Sequence, residues 1–228
     1  MRPTRLAVAL SLIATLASAG VHEVELSLPI RSKLALTGHE SLYIGPFLRE
    51  TRGDESQGDL RFDVAGEFER FLRKLLRKEA KFTLLPALDG LQLPTTDPLQ
   101  LAKAADFWRD VGTRSGADYV VAGSIEFKVQ ESTQPKMESY ESPADGRTYY
   151  RQVMVEQTGF TYDILLNVFD GRTGALLFQE PLKDTQEREE RNFDEFTGMF
   201  ANLYALENRL TGVFVPRTIK TKRLLFVP

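Results

Sequence analysis

Not one cysteine occurs among the 228 residues of this chain. No disulfide or thiolate-held metal can staple it, so its stability has to come from a buried apolar core. About 200 residues are enough to build such a core unaided. The constraint matters because the N-terminus reads as an export leader. Arg2 and Arg5 give a positive start, Leu6 to Ala17 is an apolar run, and Ala17-Ser18-Ala19 offers the small residues of a cleavage site. The run is too short for a bilayer, which asks for about twenty apolar residues. Cleavage after Ala19 is therefore expected, leaving residues 20–228 as one mature domain that starts at Gly20. Without a cysteine at that position, a lipid anchor is not expected.

Removing Arg2 and Arg5 leaves 27 basic side chains against 32 acidic ones, a net charge of about −5. Nonspecific nucleic-acid binding depends on neutralising phosphates, so no nucleic-acid partner is expected.

Hydrophobic periodicity gives the order of elements. Val24, Leu26, Leu28 and Ile30 alternate with polar residues, as in a strand with one buried face. A short apolar piece, Leu34 to Leu36, precedes Ser41 to Phe47, which reads as a central strand ended by Pro46. Residues 49–58 read as a loop. From Asp59, a possible N-cap, the period becomes helical through Leu60, Val64, Phe68, Phe71, Leu72, Leu75 and Leu76. Phe82 to Leu85 reads as a short strand. Asp97-Pro98 pairs a cap with proline at the first helical position, opening a helix to Ser115-Gly116. Asp118 to Phe127 is a β-rich apolar run expected to be a central strand. Lys128 to Gly146 is polar, and Tyr149 to Val155 resumes an extended pattern. Phe160 to Phe169 and Ala175 to Phe178 flank the hairpin connection Asp170-Gly171-Arg172-Thr173-Gly174. Phe193, Phe196, Phe200, Leu203 and Leu210 mark a last helix, and Val213 to Pro216 and Arg223 to Val227 are expected to be extended. The fold class is α/β: one domain, a mixed sheet with helices packed against it, and a long hairpin-like insertion at about 128–159.

This order resembles a periplasmic α/β domain shared by the curli-secretion lipoprotein CsgG, the penicillin-binding-protein activator LpoB and the N-terminal domain of TolB. Ile44-Gly45-Pro46-Phe47, Gly116-Ala117-Asp118-Tyr119-Val120-Val121-Ala122-Gly123 and Asp170-Gly171-Arg172-Thr173-Gly174 carry the resemblance, which spans roughly residues 40 to 215. It implies a noncatalytic periplasmic accessory protein that binds another envelope component. The alternative it implies is a subunit of an oligomeric outer-membrane secretion channel of the CsgG type. Homo-oligomerisation and association with the outer membrane stay open.

No catalytic residue, cofactor site or metal site is expected. The sequence lacks a nucleophile elbow, a metalloprotease helix and a phosphate loop. His22 and His39 are flanked by polar residues and read as solvated. The carboxylates between Glu187 and Glu195 are interleaved with Arg188 and Arg191, which suits a solvated helix start. The basic face Arg70, Arg73, Lys74, Arg77 and Lys78 also reads as solvated, and Trp108 reads as core.

The insertion is the most informative region. A membrane-spanning arm needs about nine to eleven residues with an apolar lipid-facing side. Lys128, Gln130, Ser132 and Gln134 share one side of the outgoing arm, and Val129, Glu131, Thr133 and Pro135 the other, so neither is apolar. On the return arm Tyr149, Val153 and Val155 share a side, but Arg151 interrupts it. A soluble hairpin or loop fits better than a pore arm. Met137, Tyr140, Tyr149, Tyr150 and Met154 are the candidate residues for binding a protein partner, because interfaces recruit aromatic and methionine side chains.

Overall fold

The central run behaves as its composition requires. In the computed structural model, which describes residues 20–50, 62–79, 82–189 and 194–227, Val120 to Phe127 are all buried. They belong to β4 (Tyr119–Glu141), the middle strand of a five-stranded sheet. The other strands are β2 (Ser41–Arg49), β3 (Thr83–Leu84), β5 (Thr148–Asp170) and β6 (Leu176–Arg188), in the order β3-β2-β4-β5-β6. β2 runs parallel to β3 and β4, while β5 pairs antiparallel with both β4 and β6, so the sheet is mixed.

Alternate side chains of this sheet serve two cores. On one face, α1 (Val64–Glu79) and α4 (Glu195–Phe214) bury Phe68, Leu72, Leu76, Leu203 and Leu210 against Ile44, Val121, Ile125, Phe160 and Ile164. On the other, α2 (Pro98–Lys103) and α3 (Ala105–Ser115) bury Leu101, Trp108 and Val111 against Tyr43, Val120, Ala122 and Phe169. Trp108 is core, stacked on Phe169 with ring centroids 4.5 Å apart.

Pro46 does not end its strand. β2 continues to Arg49, and its pairing with β4 shifts register between Ile44 and Phe47, a bulge that absorbs the proline's missing N–H. α1 satisfies the backbone groups this frees. The Arg73 guanidinium donates to the Ile44 carbonyl (2.6 Å) and the Leu85 carbonyl (2.9 Å), and the Glu69 carboxylate accepts from the Phe47 N–H (2.9 Å). Arg73 is thus structural, while Arg70, Lys74, Arg77 and Lys78 are exposed as expected.

Other boundaries shift for local reasons. α1 starts at Val64, with the Asp63 carboxylate accepting from the Gly66 N–H (3.1 Å). Asp59 and Leu60 lie outside the described residues, as do residues 1–19, Arg191 and Phe193. The expected single helix from Asp97 to Ser115 breaks at Ala104 (ψ 59°). The Leu101 carbonyl there accepts the Trp108 indole N–H (2.8 Å) and the Ala104 N–H (3.2 Å), which closes the first helix early. Val213 and Phe214 are not extended but form the buried last turn of α4. Glu187 and Arg188 are not at a helix start but end β6, and α4 is capped by Asp194, which accepts from the Thr197 N–H (2.8 Å).

The terminal segments form a second, separate unit. β1 (Gly20–Ile30) and β7 (Arg217–Val227) pair antiparallel along their whole length. The alternation of Leu26, Leu28 and Ile30 is present, but all three are exposed, so the expected buried face is not formed. Glu23–Lys222 (2.8 Å) and Glu25–Lys220 (3.2 Å) ion pairs line the opposite face.

Candidate partner-binding hairpin

The insertion has no strands of its own; it is the outward continuation of β4 and β5. Their register is unbroken from Tyr119↔Asp170 in the core to Glu141↔Thr148 at the tip. The polar stretch read as hairpin or loop is therefore an ordered β-ribbon. β6 accompanies β5 only as far as Thr158↔Arg188. Past that point the ten pairs from Ser132↔Gln157 to Glu141↔Thr148 stand as a two-stranded ribbon about 33 Å long.

The base of the ribbon is firmly seated. Phe127 and Phe160 stack across the strands with centroids 6.1 Å apart. Gly198 of α4 packs on the Phe160 ring, where an added Cβ would lie 2.6 Å from a ring carbon. The buried Asn202 amide donates to the Phe160 carbonyl (2.8 Å). At the tip, Gly146 adopts a φ of 66°, and the Ser142 N–H donates to the Arg147 carbonyl (2.9 Å).

The register sorts the five candidate residues onto two faces. Met137, Tyr150 and Met154 share one, at 62%, 72% and 63% exposure, with Pro135 opposite Met154. This face continues the side of the sheet that α1 and α4 cover further down. Tyr140 and Tyr149 lie opposite each other on the second face, with ring centroids 6.1 Å apart. There the Arg151 guanidinium sits 5.4 Å over the Tyr140 ring and ion-pairs with Glu138 (2.9 Å). The Tyr149 hydroxyl donates to Asp145 (2.7 Å), which holds the Asp145 carboxyl below its usual range and the Tyr149 phenol above its own.

The sequence named the aromatic and methionine residues but missed Glu138, Arg151 and Asp145 as the groups that order the second face. Opposite charges at facing positions of two arms were the available signal. The same pairing completes the membrane argument. Tyr149, Val153 and Val155 face Tyr140, Lys136 and Gln134, so the apolar side of the return arm meets polar groups across the ladder.

Elsewhere the surface holds charge in pairs. On the sheet face beside the ribbon, the buried Glu126 lies opposite Asp163 on the neighbouring strand, and Lys128 bonds Glu126 at 2.9 Å. His39 is exposed. Among the described residues no cluster of His, Asp and Glu could hold a metal ion, and no helix is long and apolar enough to cross a membrane.

Two of the motifs quoted above, Gly116 to Gly123 and Asp170 to Gly174, meet at a structural joint rather than in the hairpin. The Asp170 carboxylate accepts from the N–H groups of Arg172 (3.0 Å) and Thr173 (2.8 Å) and from the Thr173 hydroxyl (2.9 Å), closing the β5–β6 turn. The Gly171 N–H donates to the Asp118 carbonyl (2.8 Å). The Asp118 carboxylate accepts from the Ser41 N–H (3.0 Å) and hydroxyl (2.8 Å), bonds that keep it ionised below the usual range. These residues fix the ends of β2, β4 and β5.

No protein-family model and no curated protein matches the sequence. Several solved structures are similar to this chain. The hypothetical protein CT253 from Chlamydia trachomatis is 18% identical with a TM-score of 0.38, over 76% of this chain and 94% of that one. The PelC dodecamer from Paraburkholderia phytofirmans is 13% identical with a TM-score of 0.39, over 86% of this chain and 100% of that one. The LpoB C-terminal domain from Salmonella enterica is 16% identical with a TM-score of 0.34, over 67% of this chain and 87% of that one. Similarity at this level carries neither a partner nor an activity across.

Proposed function

We propose that this chain is a noncatalytic accessory protein of the periplasm that binds another cell-envelope protein through the hairpin at 128–159. The observation that carries the reading is the ribbon itself. It projects from a well-buried base and holds Met137, Tyr150 and Met154 in water on one face. An ordered backbone removes the cost of ordering the main chain on docking, and aromatic and methionine side chains are those that protein interfaces recruit. The export leader and the motif resemblance support the compartment. The ribbon's composition disfavours the channel-subunit alternative, because neither of its faces is apolar.

Site-specific photocrosslinking in intact cells tests the proposal. A photoreactive residue in place of Tyr150 or Met154 should capture one defined envelope protein. The same residue in place of Leu99, exposed on α2, should not. Replacing Ser132–Gln157 by an Asn-Gly turn joins Glu131 to Thr158 and should abolish co-purification of that envelope protein with the chain while the domain still folds. Capture that is equal from Leu99 and Tyr150 overturns the reading. Membrane-inserted rings of the parent that vanish on deletion would put the channel reading in its place.

A further inference from the structure

The two outer edges of the ribbon are not equivalent. The direction of each backbone group follows from bonds at the base. The Ile125 carbonyl accepts from Glu50 on the β2 side, whereas the Asp118 carbonyl accepts from Gly171 on the β5 side. Along an unbroken antiparallel ladder this alternation persists, so odd-numbered residues of β4 turn their N–H and C=O groups outward. By the same rule the even-numbered residues of β5 turn outward, as Asp170 does in donating to the Ala175 carbonyl (2.9 Å).

Pro135 is odd-numbered and lies midway along the β4 edge, so a strand arriving there would find no N–H at the centre of its ladder. The β5 edge has no such block. Tyr150, Gln152 and Met154 all present an outward N–H and C=O, within the β-prone run Tyr149-Tyr150-Arg151-Gln152-Val153-Met154-Val155. Among the described residues no strand pairs with this part of β5. One edge is blunted and the other is left as a template.

We propose that two copies of this chain join through their β5 edges, antiparallel, about a two-fold axis at Gln152. The sequence is self-complementary in that register. Gln152 lies opposite the partner's Gln152, where two side-chain amides can bond each other. Tyr150 lies opposite the partner's Met154, and Met154 opposite the partner's Tyr150, giving two sulfur–aromatic contacts. Arg151 faces the partner's Val153, so no like charges oppose. Moving the axis one residue toward the tip would set Arg151 against itself. The alternative to a closed pair is a head-to-tail array, in which each β5 edge adds to the next β4 edge, and Pro135 obstructs that edge. Pairing therefore stops at two copies. The product is a four-stranded sheet that brings two sets of Tyr150 and Met154 side by side, leaving their faces open.

Sedimentation equilibrium of the exported chain decides the matter, and its readout is mass, independent of any envelope partner. The parent should be a dimer at about 100 µM, within the range of modest homodimer affinities. Gln152→Lys sets two ammonium groups against each other, and Gln152→Pro removes an outward donor while sparing the β4–β5 ladder. Both should shift the mass to monomer with an unchanged circular dichroism spectrum. Gln152→Lys changes only an exposed side chain, so it keeps the test decisive if the proline variant fails to fold. Met137→Lys, on the blunted edge, should remain dimeric. A monomeric parent, a larger ring, or a dimer that survives Gln152→Lys overturns the proposal.

Discussion

Gly112 of α3 and Gly171 of the β5–β6 turn meet backbone to backbone: a Cβ built on Gly112 would lie 2.0 Å from the Gly171 carbonyl oxygen. Two segments far apart in sequence thus form one joint, where α3 docks against the end of β5. Ordinary side chains do not fit there, and backbone cannot step aside as the end of a flexible side chain can.

Gly112→Ala should accordingly destabilise the domain by about 2–3 kcal/mol, the cost of forcing atoms into a filled site. Urea unfolding followed by tryptophan fluorescence reports it, since Trp108 lies on the same helix. A midpoint equal to the parent's would mean the helix and turn separate easily.

Val120→Asp should prevent folding at room temperature. Val120 is fully buried between β2 and β5 on the Trp108 side of the sheet. An unpaired carboxylate there costs several kcal/mol, comparable with the ~5–15 kcal/mol that holds a domain together. A thermal melt within about a degree or two of the parent's would show that this strand is not core.

Acid should weaken the loop that leads into β2. Burial alone would raise the Glu40 carboxyl, but hydrogen bonds from the Thr37 and Gly38 N–H groups and the Thr37 hydroxyl outweigh it and hold it down to about 2. The folded state therefore gains from ionised Glu40 above the usual glutamate range and loses that gain as pH falls toward 2. Glu40→Gln should melt below the parent at neutral pH, and the gap should close between pH of about 5 and about 2. A gap that stays constant with pH contradicts this assignment.

Export should leave Gly20 as the first residue. Intact-mass spectrometry of the protein recovered from cells should find residues 20–228. A full-length form beginning at Met1 in the cytoplasm would remove the periplasm from the proposed function.

The buried half of the fold was legible because burial writes itself into the sequence. Most of Val120 to Phe127, the α1 stripe and Trp108 are apolar side chains in the core, and they read correctly, although Ser124 and Glu126 are buried polar groups within the strand. The break at Ala104 did not show, because it depends on a carbonyl that accepts an indole from the following helix. The outer reach of β4 and most of β6 were harder for the opposite reason. With water on both faces, the outer reach of β4 needs no alternation, so Gln130 to Glu141 carry no period to detect, while the inward side of β6 sets Leu182 among Glu180, Asp184 and Gln186 and so does not read as apolar. At the hairpin the side chains could be named from composition. Which of them share a face, and which edge Pro135 blunts, follow only from register, and a polar ribbon encodes register weakly.

The ribbon is, mechanically, a cantilever. Its two arms are the same strands that run through the middle of the domain, gripped at the root by Phe127, Phe160 and α4. A load applied to the tip is not absorbed by a hinge or a linker; it is delivered to the buried inner halves of β4 and β5. A rise of about 3.3 Å per residue puts the tip some 33 Å from the last β6 pairing. The chain can therefore touch something well beyond its own surface while the rest of the domain stays where it is.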